Sequence, residues 1–331
     1  MMLMNVFVTR KIPQPGLEIL RKEFEIEVNP YDRVLSKEEI IKGLKGKDGL
    51  LCLLTDPIDS DVINSEPRLK MISSYAVGYN NIDIKAATKR GIPVSNTPGV
   101  LTDATSDMAW ALLLSVARRI VEADKFTREG KFKGWGPMLM HGQDVTGKTI
   151  GVVGAGRIGT AFALKSKGFN MNVLYVDKKK NETLEKEVNA KKVTFDELLK
   201  KSDFISLHVP FIPSTDHMIG EKELKIMKKN AVLINTSRGP VLDEQALIFA
   251  LKEKQIFGAG LDVYEHEPEI SKELKKLDNV IIQPHSASAT IETRTKMAVM
   301  AAENMVAGLK GKVPNNCVNM QVFKGREKVI K

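Results

Sequence analysis

Near the middle of the chain, Gly154-Ala155-Gly156-Arg157-Ile158-Gly159 follows the apolar run 149–153 and opens an amphipathic segment that continues to Lys167. Few folds accept a strand, a glycine turn and a helix in that order. The first glycine permits the tight turn, the second lets backbone N–H groups approach a pyrophosphate, and the third allows close packing of helix on strand. The phosphates then sit at the positive end of the helix. The next apolar run, 172–176, ends at Asp177, at about the 20-residue interval where a carboxylate receives the ribose hydroxyls and repels a 2′-phosphate. Together these features predict a Rossmann-like domain with NAD(H) as the favoured coenzyme. Lys178-Lys179-Lys180, directly after that carboxylate, leaves NADP(H) open.

The fingerprint opens the second half of the chain, so the first hundred residues need an architecture of their own. They alternate short apolar runs (6–8, 26–28, 50–54, 71–76, 93–95) with helical patterns (17–24, 37–44, 61–65), which predicts another parallel sheet covered by helices. A long helix is expected over 102–128, with Asp103 or Thr105 available as its cap and Gly130 beyond its end. Its apolar residues run nearly all round, so it buries two faces, one of them against a second subunit. Strands are expected at 149–153, 172–176, 204–207, 231–235, 258–263 and 280–282, then a helix over 291–309 and an extended tail through 314–318. Since the first sheet lacks a closing helix, that last helix is expected to return to it. The expected fold class is α/β, with two Rossmann-like or flavodoxin-like domains, parallel sheets and a hinged cleft. The expected domains are 1–101 with 289–331, binding substrate, and 102–288, binding the dinucleotide. The end, 324–328, reads as polar and frayed.

Composition excludes several function classes. With 43% hydrophobic and 27% charged residues the chain reads as an ordinary globular protein. Its longest apolar stretch, 108–117, is about half a bilayer span, and the start, 1–8, reads as a strand without a leader's basic end or cleavage site. Cys52 and Cys317 lie far apart in no metal or redox spacing, which fits inert thiols in a reducing cytoplasm, and no metal is expected. The net charge of +9 reads as lysines scattered over solvated helices, because no aromatic-interleaved basic patch accompanies it. No nucleic-acid or membrane partner is expected.

Three segments complete a pattern: Asn235-Thr236-Ser237-Arg238-Gly239, then Gly260-Leu261-Asp262-Val263-Tyr264-Glu265-His266-Glu267-Pro268, then Pro284-His285. With the glycine turn, in this order and spacing, they resemble the D-2-hydroxyacid dehydrogenases over nearly the whole chain. Tyr75-Ala76-Val77-Gly78-Tyr79-Asn80-Asn81-Ile82-Asp83, Val100-Leu101-Thr102-Asp103 and Gly134-Trp135-Gly136-Pro137 are most similar to the glyoxylate and hydroxypyruvate reductases of that family. The resemblance implies hydride transfer from NAD(P)H to a small 2-keto acid, with Arg238 binding substrate, Glu267 pairing with the catalytic histidine, and His285 giving and taking the proton. It implies coenzyme contacts at Gly154, Gly156, Arg157, Ile158, Gly159, Asp177, Thr102, His208, Pro210, Thr215, Thr236, Ser237, Arg238, Asp262, His285 and Ala287. Substrate contacts are implied at Ala76, Val77, Gly78, Arg238 and His285. A homodimer is expected, and the 135–140 region reads as a loop at its interface.

Elementary chemistry agrees with those roles. Hydride delivery to a keto group leaves negative charge on oxygen, so a positioned acid must supply a proton, and histidine is the side chain suited to that near neutral pH. A carboxylate beside it would fix its ring; Glu265 and Glu269 rival Glu267, and only the resemblance separates them. Arg238 offers a planar fork matched to a carboxylate. His141, His208, His217 and His266 carry no signal of their own, although the resemblance places His208 near the coenzyme. Gly78 offers a positive φ, or only a turn. Ser286-Ala287 departs from the family's Ile-Gly, and an alanine there is expected to crowd the backbone near the nicotinamide and alter affinity. Phosphoglycerate, lactate-type and phosphite dehydrogenases share the pattern, as do corepressors that sense NAD(H) without turnover.

Overall fold

The computed structural model describes residues 3–324, so most of the run expected to fray, from residue 325 on, lies outside the described residues. The chain divides into two compact units, one built from the residues up to Leu101 together with those from Thr290 onward, the other from Thr102–Ala289.

The first unit alternates β1 (Asn5–Val8), α1 (Gln14–Glu23), β2 (Glu25–Val28), α2 (Lys37–Leu44), β3 (Gly49–Cys52), α3 (Ser60–Asn64), β4 (Met71–Ser74), α4 (Ile84–Lys89) and β5 (Val94–Ser95). Its five strands are parallel in the order β2-β1-β3-β4-β5, the flavodoxin-like arrangement. β3 and β4 are buried along their whole length because helices cover both faces of a parallel sheet.

The second unit holds α5 (Thr102–Ala117), α6 (Ile120–Arg128), β6 (Thr149–Val153), α7 (Arg157–Lys165), β7 (Asn172–Val176), α8 (Glu182–Val188), β8 (Lys191–Lys192), α9 (Phe195–Lys201), β9 (Phe204–Leu207), α10 (Glu221–Ile226), β10 (Val232–Asn235), α11 (Glu244–Lys252), β11 (Gly258–Leu261) and β12 (Val280–Ile282). All seven strands are parallel, in the order β12-β11-β10-β9-β6-β7-β8. The chain then returns to the first unit as α12 (Ile291–Leu309), which packs on α1 and on β3 and β4. Beyond it the tail lies along β5: Val318 N–H donates to Val94 O at 2.8 Å and Val94 N–H to Asn319 Oδ1 at 2.8 Å, which covers an otherwise open sheet edge.

Two expectations about the helix over 102–128 need correction. It is two helices, because Arg119 takes φ +54° and turns the chain between α5 and α6. Asp103 and Thr105 lie inside α5 and not before it. Its near all-round burial is also internal: α5 packs on α7, β10 and β11, and the Trp110 indole donates to Phe162 O at 2.9 Å. Apolar exposure sits instead on Ile120 and Val121 of α6 and on Phe132, Trp135 and Met138 beyond it. The sequence patterns also passed over α4 and β8, which are too short to show a period.

Candidate active site

In the seven-stranded sheet the strand order reverses between β6 and β9, so the turns leaving their carboxyl ends border the crevice where α/β sheets hold ligands. The turn after β6 is the glycine run. Gly154 has φ +92°, and a Cβ on Gly159 would lie 1.9 Å from the Gly154 carbonyl oxygen, so both are glycine for reasons internal to the protein. Gly156 is different. Its φ of −72° suits any residue and a Cβ there would meet nothing within 4 Å. It stands at the N-cap of α7, with no side chain capping the first helical amides. The protein's own packing does not require this glycine; a diphosphate drawn onto the α7 terminus does.

Asp177, at the end of β7, accepts from Ala155 N–H at 2.8 Å and from Lys179 N–H at 3.2 Å, so its carboxylate is held beside the glycine turn. Asn181, which caps α8, donates to the Ala155 carbonyl at 2.9 Å and to Thr160 Oγ1 at 2.8 Å; sequence reasoning missed it, and an N-cap asparagine carries no separate signal for this task. Arg157 and Ile158 form the first turn of α7, and Thr102 the first residue of α5. After β9, burial drives the His208 imidazole down to about 3, so the ring is neutral; it packs on Phe162 and shares a 2.9 Å hydrogen bond with Ser206. The Thr215 hydroxyl donates to Pro210 O at 2.7 Å and closes the turn that follows. Thr236, after β10, has a buried hydroxyl with no hydrogen-bond partner among the described residues. The open glycine cradle, the placed Asp177 carboxylate and this unpaired hydroxyl fit a bound dinucleotide.

The turn after β10 presents Arg238. The buried Asn235 side chain accepts from Ser237 N–H at 3.0 Å and donates to Arg238 O at 2.9 Å, which fixes the turn. Gly239 then passes so close to the next segment that a Cβ would lie 1.7 Å from Tyr264 O. Burial lowers the Arg238 pKa, with the Glu267 charge opposing it; a guanidinium remains charged nonetheless.

After β11, Asp262 is fully buried and accepts from two successive amides, Ser286 N–H at 2.7 Å and Ala287 N–H at 2.8 Å. Burial pushes its carboxyl up, and those two amides partly offset the rise. The clamp falls directly after His285, which holds φ +53°, an uncommon conformation for a histidine that the neighbouring structure must enforce. His285 Nδ1 lies 2.8 Å from Glu267 Oε2, and the other Glu267 oxygen accepts from Tyr264 N–H at 3.0 Å. Burial would raise the Glu267 carboxyl; the His285 hydrogen bond and charge, the Tyr264 amide and the Arg238 charge outweigh it and hold the group below its ordinary value. Of the three rival carboxylates, Glu267 is the one against His285, while Glu265 pairs with His217 at 2.8 Å. Ala287 is absent from the residues with positive φ, so its backbone makes no demand for glycine.

In the other unit, Ala76, Val77 and Gly78 follow β4. Thr97 N–H donates to Ala76 O at 2.8 Å and the Asn96 side chain to Val77 O at 2.7 Å, so the carbonyls of this turn are tied back. Gly78 is not among the described glycines with positive φ; it serves the turn without using that freedom.

Residues 110–287 match the family described as D-isomer specific 2-hydroxyacid dehydrogenase, NAD binding domain. Glyoxylate reductase from Korarchaeum cryptofilum is 53% identical over 97% of this chain and 98% of its own. Glyoxylate reductase from Thermococcus litoralis is 52% identical over 96% and 98%. A crystal structure of a Thermus thermophilus protein superposes with a TM-score of 0.90 at 42% identity, covering 95% of this chain and 100% of that one. Among the described residues no group of His, Cys, Asp or Glu is placed to hold a metal ion, and no helix is long and apolar enough to cross a membrane.

Proposed function

The chain belongs to the D-isomer specific 2-hydroxyacid dehydrogenase family, and from that premise we propose that it is a glyoxylate reductase, using NADH in preference to NADPH. It is an oxidoreductase that reduces small 2-keto acids with a nicotinamide dinucleotide. The observation that carries the finer reading is the His285–Glu267 pair, which shares one sheet's carboxyl edge with Arg238 and the glycine cradle.

The bound dihydronicotinamide supplies the hydride. Glu267, ionised through the neutral range, accepts the Nδ1–H of His285, so the exchangeable proton of the imidazolium is on Nε2. His285 Nε2 gives that proton to the substrate oxygen, and Glu267 stabilises the ring in both protonation states. The Arg238 fork binds the substrate carboxylate and draws charge from the adjacent carbonyl. In the other unit, the Ala76–Val77–Gly78 amides form a nest for the carboxylate. Gly156, the α7 terminus, Asp177 and Thr236 hold the dinucleotide. Asp177 supports the NADH preference, since it stands at the ribose position of the fingerprint.

The same reading includes a cytoplasmic homodimer. Ile120, Val121, Phe132, Trp135 and Met138 are all more than half exposed, an apolar surface suited to a second copy. Light scattering on the purified protein, with a Trp135→Ser variant beside it, reads the mass directly.

The deciding experiment follows NADH and NADPH oxidation with glyoxylate, hydroxypyruvate and pyruvate, with Arg238→Ala in parallel. Glyoxylate turnover is expected, with a higher kcat/KM for NADH than for NADPH. The Arg238→Ala variant should lose on the order of 10- to 100-fold in kcat/KM, the scale of a charged hydrogen-bonded contact. Tight NADH binding without turnover of any keto acid would sink the assignment.

A further inference from the structure

The segments leaving β9, β10 and β11 run side by side. His217 N–H donates to Pro240 O at 2.8 Å, Ile219 N–H to Val241 O at 3.2 Å, and Asp243 N–H to Ile219 O at 2.9 Å. The middle segment is pressed against the third at Gly239 and Tyr264. One side-chain pair spans the outer two: His217 Nε2 lies 2.8 Å from Glu265 Oε1. Glu265 is anchored in turn, its second oxygen accepting from Glu244 N–H at 3.2 Å and its own N–H donating to the Glu244 carboxylate at 3.4 Å. His217 holds φ +45°, a conformation its neighbours must enforce.

Both ends of this link lead to the chemistry. The first segment begins at His208 and Val209, which lie against Gly154, and contains the turn closed by Thr215. The third carries Glu267 two residues beyond Glu265. We propose that His217 is a positioning residue whose hydrogen bond to Glu265 braces the turn beside the glycine cradle against the segment bearing Glu267, coupling dinucleotide binding to the catalytic pair. This rests on the reductase reading above.

The brace is sensitive to pH. The His217 side chain is 45% exposed and Glu265 17%, so solvent protons reach the imidazole while the carboxylate is sheltered. The Glu265 hydrogen bond raises the His217 pKa, burial opposes this, and the charges of Glu265, Asp216 and Asp243 add to the rise. A raised folded value means that the charged brace is complete below the ordinary imidazole value and is lost as pH climbs through the raised one.

The test uses the full-length protein. NMR titration of the five histidines assigns His217 by its loss in His217→Asn, a residue that tolerates the left-handed backbone. Its pKa is expected above the ordinary value and should fall in Glu265→Gln. The NADH dissociation constant should weaken by up to about fivefold across that ionisation, the scale of a half-exposed ion pair, and be flat in His217→Asn. His217→Gln, which keeps a donor, should recover part of the affinity with no pH dependence, and kcat should change less than KM for NADH. NADH binding and KM in both variants equal to the parent at every pH, or a His217 resonance unmoved by Glu265→Gln, would overturn the brace. These binding and NMR readouts do not need turnover, so inactivity on every keto acid overturns the reductase reading separately.

Discussion

The two sheets solve the same topological problem in opposite ways. Each reverses its strand order once, between β1 and β3 in the first and between β6 and β9 in the second, and so each creates a crevice at its strand ends. The first is filled by its own polar groups. Thr9 donates to Asp56 Oδ2 at 2.5 Å, Leu53 N–H donates to the same oxygen at 2.7 Å, and Asn81 donates to Leu53 O at 3.0 Å and Asp56 O at 2.8 Å. Thr9 and Asp56 are only 1% and 3% exposed. The second crevice has an uncapped helix terminus behind a glycine that packing does not need. Topology provides the position twice; the side chains decide that one crevice holds a ligand and the other is sealed.

The largest effect that sharpens this contrast belongs to His285. His285→Ala should lower kcat by about 10²–10⁴, the range for a general acid, while NADH still binds. An unchanged kcat would remove the second crevice as the seat of chemistry. A smaller pair of effects separates the two kinds of glycine. Gly156→Ala should leave stability within about 0.5 kcal/mol, because its Cβ meets nothing, yet weaken NADH binding roughly tenfold or more by crowding the diphosphate. Gly159→Ala should instead cost about 1–3 kcal/mol of stability, because its Cβ would collide with the Gly154 carbonyl. Equal melting losses in both would show Gly156 to be structural and would break the comparison.

Much of the second unit was legible because its chemistry is local in sequence. The glycine turn, Asp177 and the apolar runs before them each read from a short window, and four of its expected strands coincide with β6, β7, β9 and β12. The first sheet was legible as alternation, yet nothing in its sequence announces that Thr9, Asp56 and Asn81 seal its crevice, since they come from three separate segments. The His217–Glu265 link was invisible for the same reason: the partners are 48 residues apart, and each alone reads as a surface residue. The break at Arg119 was hidden because an arginine carries no turn signal, and only the capture of its guanidinium by Glu122 and by His141 O shows what holds it. Asp262 was read as a coenzyme contact, and its grip on the Ser286 and Ala287 amides depends on β11 and β12 lying side by side.

The smallest expected effect tests the sealed crevice. Burial raises the Asp56 carboxyl, opposed by the Leu53 amide, the Thr9 hydroxyl and the Arg10 charge. Between its unfolded value, about 3.9, and its higher folded value, the native state binds more protons than the unfolded one. Stability contributed by this group therefore falls as pH rises across that interval, and the cost of the buried charge is full above it. Asp56→Asn removes the ionisation and keeps an oxygen for Leu53 and Thr9. The variant's Tm relative to the parent should thus improve from acid towards neutral pH, by about 2–4 °C if the charge costs about 1 kcal/mol. NADH affinity and kcat should match the parent at both pH values, because a sealed crevice has no part in binding or turnover. A Tm difference that is constant with pH would mean that Asp56 is no buried charge. A loss of keto-acid turnover at unchanged Tm would mean that the first crevice takes part in the reaction, and the division between a sealed sheet and a working one would fall.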